Sequence, residues 1–221
     1  MMIISAIVLA AGSGLRFGAM KQFVMLRGKP VLQRALECFE SHPEITEVVL
    51  VTQNPSSLSD WTTRFNKISS IASGGEKRQD SVYAGFRMLD ADKTDIVLIH
   101  DGVRPFVSQE LLSRIIMATR KTGAAVPVEP VEDTMKIIDK QIILKTVDRN
   151  GLFRSQTPQG FKYKIIKEAL ETASKENFYG TDDAALVERI GKTVMAVAGE
   201  RRNIKITVPE DLRVAEAFCE D

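Results

Sequence analysis

Short apolar runs alternate with amphipathic segments along most of the chain. Four runs rich in valine and isoleucine lack polar–apolar alternation, which is typical of strands buried on both faces of a mostly parallel sheet. They lie at residues 3–10, 47–52, 95–100 and 124–128. Between them, apolar residues recur at helical spacing, as at Leu32, Leu36 and Phe39. This alternation predicts an α/β fold in which helices flank the sheet through right-handed crossovers.

The strand–helix rhythm is interrupted near residue 133. Residues 134–139 and 142–147 form two short β-like segments around Asp139-Lys140-Gln141, which predicts a β-hairpin. Helices are predicted again at about 163–176 and 181–190, and a last helix follows Pro209. A hairpin inserted into a regular domain is typical of a lid or an oligomerisation arm. We expect one domain over residues 1–221, with the insertion at about 133–155.

Composition and charge narrow the class of protein. The 221 residues are 44% hydrophobic and 27% charged with a net charge of +1, which is typical of a globular protein and disfavours one that coats nucleic acid or an anionic membrane. The longest apolar stretch, at residues 3–11, is too short to cross a bilayer. No basic segment precedes it, which disfavours a signal peptide. Cys38 and Cys219 fall on apolar faces of predicted helices, so buried thiols in a cytoplasmic protein are favoured over a disulfide.

The first predicted strand leads into a loop of small residues, Leu9-Ala-Ala-Gly-Ser-Gly14, which two cations follow. The spacing does not fit the Rossmann fingerprint, because the third glycine is Gly18, one place late. It does not fit a Walker A loop either, since the Gly-Lys-Thr at 191–193 lacks the first glycine.

The remaining hypothesis is a loop whose backbone N–H groups surround a nucleotide at the carboxyl end of the strand. Arg16 and Lys21 could then reach its phosphates. A plain strand-to-helix turn with solvated cations is the alternative, and composition alone does not decide between the two.

Several motifs favour the nucleotide-binding loop, because they resemble those of a known family. Leu-Ala-Ala-Gly-x-Gly-x-Arg, followed by Lys-Gln-Phe, resembles the opening signature of the sugar-phosphate nucleotidyltransferases. Seven further segments occur in the same order as in the cytidylyltransferases that act on 2-C-methyl-D-erythritol 4-phosphate. They are SGGEKRQDS (73–81), HDGVRP (100–105), DTMK (133–136), VDRNGL (147–152), QTPQ (156–159), TDDA (181–184) and NIKIT (203–207). The resemblance extends from residue 9 to about 212 and departs only slightly, at Gly102-Val103, where two alanines are expected.

The resemblance implies a Rossmann-like nucleotidyltransferase fold and a reaction. CMP is expected to pass from CTP to 2-C-methyl-D-erythritol 4-phosphate, giving 4-diphosphocytidyl-2-C-methyl-D-erythritol and pyrophosphate in non-mevalonate isoprenoid biosynthesis. A phosphate oxygen attacks the α-phosphorus, and this nucleophile is already an anion, so no general base is required. The sequence agrees, because it has two histidines and no evident nucleophile–base pair.

The resemblance also assigns roles to individual residues. Arg16 and Lys21 match transition-state cations, while Arg149 and Lys205 match the groups that place the attacking phosphate. The nucleotide-binding residues implied are Ala10, Ala11, Gly12, Gly14, Gly74, Ser81 and Asp101. The substrate-binding residues implied are Arg104, Thr134, Arg149, Thr157, Asp182 and Lys205. Asp101 is also the expected ligand of Mg²⁺ or another divalent cation, and the sequence leaves open whether Asp182 contacts the metal or the substrate.

The inserted hairpin acquires a role from the same resemblance. It is expected to embrace a second subunit, so that Thr134 and Arg149 reach the partner's site in a C₂ homodimer with shared active sites. Bland alternatives exist for several of these residues: Lys205 as a solvated lysine, Ser81 as a helix hydroxyl bonded to its own backbone, and Asp182 as an acid at a helix N-terminus.

Three other functions compete with this one. A ribitol-phosphate cytidylyltransferase shares the loop but is disfavoured by the segments at 133–136 and 147–152. A non-catalytic module that senses CTP is disfavoured because Arg16, Lys21, Asp101 and Lys205 occur together, and a sensor needs no transition-state cations. A dehydrogenase is disfavoured by the misplaced third glycine.

Overall fold

The structure is a computed structural model that describes residues 2–14, 17–53, 58 and 60–219. Its helices are α1 (Val31–Ser41), α2 (Arg78–Phe86), α3 (Gln109–Thr122), α4 (Tyr163–Lys175), α5 (Asp183–Arg189) and α6 (Glu210–Phe218). Its strands are β1 (Ile3–Ala10), β2 (Met25–Leu26), β3 (Lys29–Pro30), β4 (Glu47–Thr52), β5 (Ile68–Ser73), β6 (Thr94–Asp101), β7 (Ala124–Pro130), β8 (Met135–Asp139), β9 (Ile142–Val147), β10 (Phe153–Ser155), β11 (Gln159–Lys162) and β12 (Met195–Ala198).

The central sheet has the strand order β10-β7-β11-β6-β1-β4-β5, with β12 paired to β7. Strand β1 pairs in parallel with both β4 and β6, and β5 and β12 also pair in parallel with their neighbours. Strand β11 is antiparallel to β6 and β7, and β10 is antiparallel to β7. The predicted mostly parallel sheet is therefore confirmed, with antiparallel strands confined to one side of it.

Burial on both faces explains why the strand signals were continuous apolar runs. Along β1, Ile4, Ala6 and Val8 pack with residues of α1 and α3 on one face of the sheet. Ile7 and Leu9 point to the other face and pack with residues of α2, α4 and α5. Because each face is covered by helices, polar residues have no solvated side to occupy in the central strands.

The carboxyl ends of the central strands meet at one edge of the sheet. In the register of β1, Leu9 lies opposite Asp101 of β6, and Ala10 lies opposite Thr52 of β4. The loop after β1, the start of α2 after β5 and the end of β6 are therefore neighbours in space. This edge is where open α/β sheets bind their ligands.

The predicted hairpin is present as β8 and β9, which form a two-stranded sheet of their own. Asp139 pairs with Ile142, and the two turn residues Lys140 and Gln141 have φ of 43° and 70°, as a tight two-residue hairpin turn requires. Large apolar side chains on both strands are exposed, namely Met135, Ile137, Ile138, Ile142, Ile143 and Leu144.

The two cysteines are free thiols, and both are half-buried. Burial, with a smaller contribution from the charge of Glu37, raises the pKa of Cys38 to about 11, so this thiol stays protonated. None of the described helices is both long enough and apolar enough to cross a membrane.

Candidate active site

Two neighbouring cavities lie at the carboxyl edge of the sheet. The first, of about 290 Å³, is enclosed by the loop after β1, the start of α2 and the end of β6. The second, of about 520 Å³, is lined by residues that include Arg104, Ser155 and Asn203. Lys205 lines both cavities, so one cation lies where a ligand in the first cavity would meet a ligand in the second.

Two glutamine side chains hold the loop after β1. Gln22 Nε2 donates to the carbonyl oxygens of Ala10 at 2.8 Å and Gly12 at 3.2 Å, and Gln53 Nε2 donates to that of Ala11 at 2.7 Å. Three successive carbonyl groups are thus bonded to side chains. The loop is fixed without occupying its own N–H groups in these contacts, which suits a backbone that binds an anion.

The opposite wall of the first cavity is the turn into α2. Ser81 Oγ accepts from Gly75 N at 3.1 Å and donates to the Lys77 carbonyl at 3.2 Å, so this hydroxyl does bond to its own helix while lining the cavity. Gly74 lies directly against the loop after β1, because a Cβ at residue 74 would lie 2.2 Å from the Ala11 Cβ. Only glycine allows the two walls to approach this closely.

The loop after β1 also depends on Gly14, which has φ of +69° and leaves no room for a side chain, since a Cβ would lie 1.8 Å from the Ala19 carbonyl oxygen. Lys21 follows in a short 3-10 turn, is largely buried, and lines the first cavity. Ala10, Ala11 and Gly12 line the same cavity. Arg16 lies outside the described residues.

Asp101, the last residue of β6, is almost fully buried beside two cations. Its Oδ2 accepts from Lys205 Nζ at 2.7 Å and its Oδ1 accepts from Arg78 Nε at 3.0 Å. Burial alone would favour the protonated acid, but the charges of Arg78 and Lys205 outweigh it and hold the pKa of Asp101 well below its ordinary value. The carboxylate is therefore ionised when the cavities are empty of substrate.

A hydrogen-bond chain behind Asp101 fixes the end of β6. Asp101 N donates to Thr157 Oγ1 at 3.0 Å, and this hydroxyl lies 3.1 Å from His100 Nδ1. His100 Nε2 lies 3.0 Å from the Arg104 carbonyl, which can only accept, so Nε2 carries the proton and Nδ1 accepts from Thr157. Complete burial lowers the pKa of His100 to about 4, which keeps the ring neutral.

The segment that carries Lys205 is irregular and is held by hydrogen bonds to neighbouring segments. Ile206 N donates to the Val103 carbonyl at 2.9 Å, and Asn203 Nδ2 donates to the Thr157 carbonyl at 2.8 Å. Arg104 Nη1 donates to the Asn203 carbonyl at 2.6 Å. Among the described residues, Arg104 Nε and Asn203 Oδ1 are buried polar atoms without a hydrogen-bond partner, and both residues line the second cavity. A ligand or water there could satisfy them.

The other predicted substrate residues have different surroundings. Asp182 caps α5, because its Oδ1 accepts from Ala185 N at 3.0 Å, and its Oδ2 accepts from Gln159 Nε2 at 2.7 Å. It also accepts from Ser155, which lines the second cavity. Thr134 and Arg149 are exposed near the base of the hairpin and line neither cavity of this chain.

Sequence reasoning missed the residue that joins three elements of this site. Arg78 begins α2, lines the first cavity, and pairs with both Asp101 and the buried Asp183 of α5. The motif at 73–81 contains this arginine without distinguishing it from its neighbours. An arginine in a glycine-rich segment that opens a helix was the available signal, but its two carboxylate partners lie 23 and 105 residues away.

Asp101, the predicted metal ligand, lies in the wall of the first cavity. The described residues contain no group of three or more His, Cys, Asp and Glu side chains arranged to hold a metal ion. Asp101 supplies one ionised carboxylate at the cavity wall. This donor set fits Mg²⁺, which keeps several waters and is bound through one or two carboxylates together with substrate phosphates.

A protein-family model described as 2-C-methyl-D-erythritol 4-phosphate cytidylyltransferase matches residues 4–221. This chain belongs to that family. The protein of that name from Geobacter metallireducens is 43% identical over 229 residues, covering 100% of this chain and 99% of the relative. The one from Geobacillus kaustophilus is 46% identical, covering 96% of this chain and 95% of the relative.

Solved structures of the family share the fold. The crystal structure of 2-C-methyl-D-erythritol 4-phosphate cytidylyltransferase from Thermus thermophilus has a TM-score of 0.84 and 31% identity, covering 97% of this chain and 98% of that one. The 4-diphosphocytidyl-2C-methyl-D-erythritol synthase from Anaerococcus prevotii has a TM-score of 0.85 and 35% identity, covering 100% and 97%. The predicted family, fold class and enzyme class are confirmed.

Proposed function

We propose that this chain transfers CMP from CTP to 2-C-methyl-D-erythritol 4-phosphate, releasing pyrophosphate, as a step of non-mevalonate isoprenoid biosynthesis. One observation carries the proposal beyond family membership. Lys205 lines both cavities, so a nucleotide in the first and a sugar phosphate in the second would meet at one cation. Two adjoining sites with a shared charge suit a transfer between two phosphates.

The chemical step needs no proton acceptor from the protein. An oxygen of the acceptor phosphate attacks the α-phosphorus of CTP, the bond from that phosphorus to the bridging α,β oxygen breaks, and pyrophosphate leaves with the electron pair. The phosphate monoester is already ionised near neutral pH, so no hydroxyl must be deprotonated. His100 is buried and bonded through both ring nitrogens, which agrees with the absence of a histidine base.

Charge stabilisation is the main task left to the side chains. Lys21 is held with little exposure in the wall of the first cavity, where it would oppose the negative charge that grows on the α-phosphate. Arg16 has the same role by resemblance. Lys205, anchored to Asp101 at 2.7 Å, has two further N–H donors with which to orient the attacking phosphate.

The walls of the first cavity would select the nucleotide. Ala10, Ala11 and Gly12 on one side and Ser81 on the other leave a narrow slot for a base, with Gly74 setting its width. Gly14 would shape the loop around the phosphates. This narrowness favours a pyrimidine, and the hydroxyl and backbone groups would recognise cytosine.

Asp101 is the proposed ligand of Mg²⁺ or another divalent cation. When bound, such an ion would neutralise nucleotide phosphate charge and polarise the α-phosphorus. Asp101 itself stays ionised because of its two neighbouring cations, so it can accept a metal without losing a proton first.

The second cavity would hold the acceptor. Arg104 Nε and Asn203 Oδ1 are buried polar atoms without a partner, and both residues line this cavity. Asp182 accepts a hydrogen bond from Ser155, which lines the same cavity. The Thr157 hydroxyl is engaged with His100 and Asp101, so we propose that it supports this wall in addition to any contact with the substrate.

A homodimer would complete the acceptor site. The hairpin of β8 and β9 exposes apolar side chains on both faces, with Ile138, Ile143 and Leu144 each about three-fifths exposed. An isolated two-stranded hairpin is marginally stable in water, so a surface that covers it is expected. Thr134 and Arg149 at its base would then reach the partner's site. The two free thiols suit the predicted cytoplasmic location.

Pyrophosphate release with Mg²⁺ and CTP tests the proposal directly. We expect release with 2-C-methyl-D-erythritol 4-phosphate and none with ribitol 5-phosphate, and a weaker reaction when UTP replaces CTP. Release with ribitol 5-phosphate alone would keep the mechanism and change the substrate. Binding of CTP without release in either case would favour a nucleotide-sensing module.

A further inference from the structure

The ion pairs around Arg78 form a chain that runs from the protein interior to both cavities. Arg78 Nη2 donates to Asp183 Oδ2 at 2.8 Å, and Arg78 Nε donates to Asp101 Oδ1 at 3.0 Å. Asp101 Oδ2 in turn accepts from Lys205 Nζ at 2.7 Å. Acidic and basic side chains therefore alternate over four positions, which come from α5, α2, β6 and the segment after β12.

The inner end of this chain is not part of either cavity. The Asp183 side chain is only 1% exposed and lines neither the first nor the second cavity. It is not needed to cap its helix, because Asp182 Oδ1 and Gln159 Oε1 already accept from the backbone N–H groups at the start of α5. Burial raises the pKa of Asp183, and the charge of Arg78, the side chain with which it pairs at 2.8 Å, opposes this rise.

The guanidinium group is suited to this position in a way that an ammonium group is not. Arg78 uses two nitrogen atoms of one rigid plane to hold two carboxylates from different elements. A lysine would offer a single point charge on a flexible stem and could not fix both partners in one orientation.

We infer that Arg78 and Asp183 are positioning residues for transfer: Asp183 fixes Arg78, Arg78 fixes Asp101, and Asp101 fixes Lys205 at the junction of the two cavities. The inference rests on the cytidylyl transfer proposed above. Misplacement of a reacting group by about 1 Å can cost about a hundredfold in rate, so a loose anchor would be visible in turnover.

A purely structural role is the competing explanation. The same ion pairs could serve only to hold α2 and α5 against the sheet. In that case their loss would lower the melting temperature and leave kcat unchanged at temperatures where the variant is folded. A variant outside both cavities separates the two explanations.

The test is Asp183→Asn, which replaces the carboxyl group that accepts from Arg78 by an amide of the same shape. We expect kcat for pyrophosphate release to fall about tenfold to a hundredfold at 25 °C with native circular dichroism, and KM for CTP to change less than about threefold. Glu176→Gln is the matched control, because it breaks the exposed pair with Arg189 at the other end of α5. This control should retain wild-type kcat.

A double-mutant cycle identifies the route of the effect. If Asp183 acts through Arg78, Arg78→Lys alone should lower kcat, and adding Asp183→Asn to it should cost less than about a further twofold. The Arg78→Lys variant also reports on the chain if Asp183→Asn does not fold, since retention of wild-type kcat by Arg78→Lys would overturn the inference.

Two further outcomes would overturn it. One is an Asp183→Asn enzyme whose kcat is within about twofold of wild type. The other is a double variant whose loss in kcat equals the product of the losses of Arg78→Lys and Asp183→Asn. Failure of the proposed function looks different, since the wild-type protein itself would then release no pyrophosphate from CTP and 2-C-methyl-D-erythritol 4-phosphate, and the inference would fall with it.

Discussion

Replacing Thr157 by valine should weaken the end of β6 that carries Asp101. The substitution keeps the shape of the side chain and removes one hydroxyl. That hydroxyl accepts from Asp101 N at 3.0 Å and bonds to His100 Nδ1 at 3.1 Å, in a position where all three residues are buried. With valine, one buried donor and one buried acceptor lose their partner.

The magnitude follows from the cost of such orphaned groups. Each unsatisfied buried polar group costs about 1–3 kcal/mol, so we expect a loss of about 3 kcal/mol in the free energy of unfolding. For a chain of this size, about 1 kcal/mol lowers Tm by about 2–4 °C, and Thr157→Val should therefore lower Tm by about 6–12 °C. Thr157→Ser keeps the hydroxyl and loses one methyl group, worth about 1 kcal/mol.

Differential scanning calorimetry near neutral pH on the wild type and both variants measures this difference. The serine variant is the matched control, because it retains both hydrogen bonds. A valine variant that melts within about 2 °C of the serine variant would refute the argument that the hydroxyl links Asp101 to His100. Thr157→Val should also lower kcat, since Asp101 is the residue whose backbone is released.

The remaining predictions concern catalysis, assembly, the metal and pH. Lys21→Ala should lower kcat by about 10²–10³-fold and weaken CTP binding much less, because its interaction should be strongest in the transition state; equal losses in turnover kinetics and calorimetric binding would contradict that role. A mixture of Lys21→Ala and Arg149→Ala subunits should regain part of the activity through heterodimers with one intact composite site, and no recovery despite proven subunit exchange would point to sites within single chains. EDTA should abolish pyrophosphate release and Mg²⁺ restore it, whereas turnover that resists the chelator would remove the metal. The free energy of unfolding, measured with urea, should fall as pH drops from about 6.5 towards 4, because the unfolded chain then protonates His100 while the folded chain keeps it neutral. His100→Gln should make this fall less steep. An unchanged pH dependence in that variant would show that the His100 ring is not the source.

The central strands could be predicted closely because their burial leaves a simple pattern. The runs at 3–10 and 47–52 match β1 and β4, and the hairpin turn at Lys140–Gln141 was evident from its flanking segments. The strands β2, β3, β5, β10, β11 and β12 were missed. Strand β5 is an edge strand with serine at half of its positions, and β11 is a four-residue segment whose glutamine and glycine are buried only because β6 and β7 enclose them.

Some residues of the site were predictable from the sequence, and others were not. The small-residue loop, Lys21 and Asp101 were predictable, because local motifs carried them to the carboxyl edge of the sheet. Gln22 and Gln53 were not, since an amide that bonds to loop carbonyls has no pattern of its own in sequence. The pairing of Arg78 with Asp183 joins residues 105 positions apart and depends on how α2 and α5 pack on the sheet.

Local patterns and motifs of fixed spacing are enough to predict the family, the order of the main strands and the residues that carry charge. Which charged residues come into contact depends on how the chain folds. Asp101, Lys205, Arg78 and Asp183 come from four separate parts of the chain, and their shared geometry arises from strand register and helix packing. Contacts between distant segments are set by the burial of apolar faces, which the order of residues along one segment does not contain.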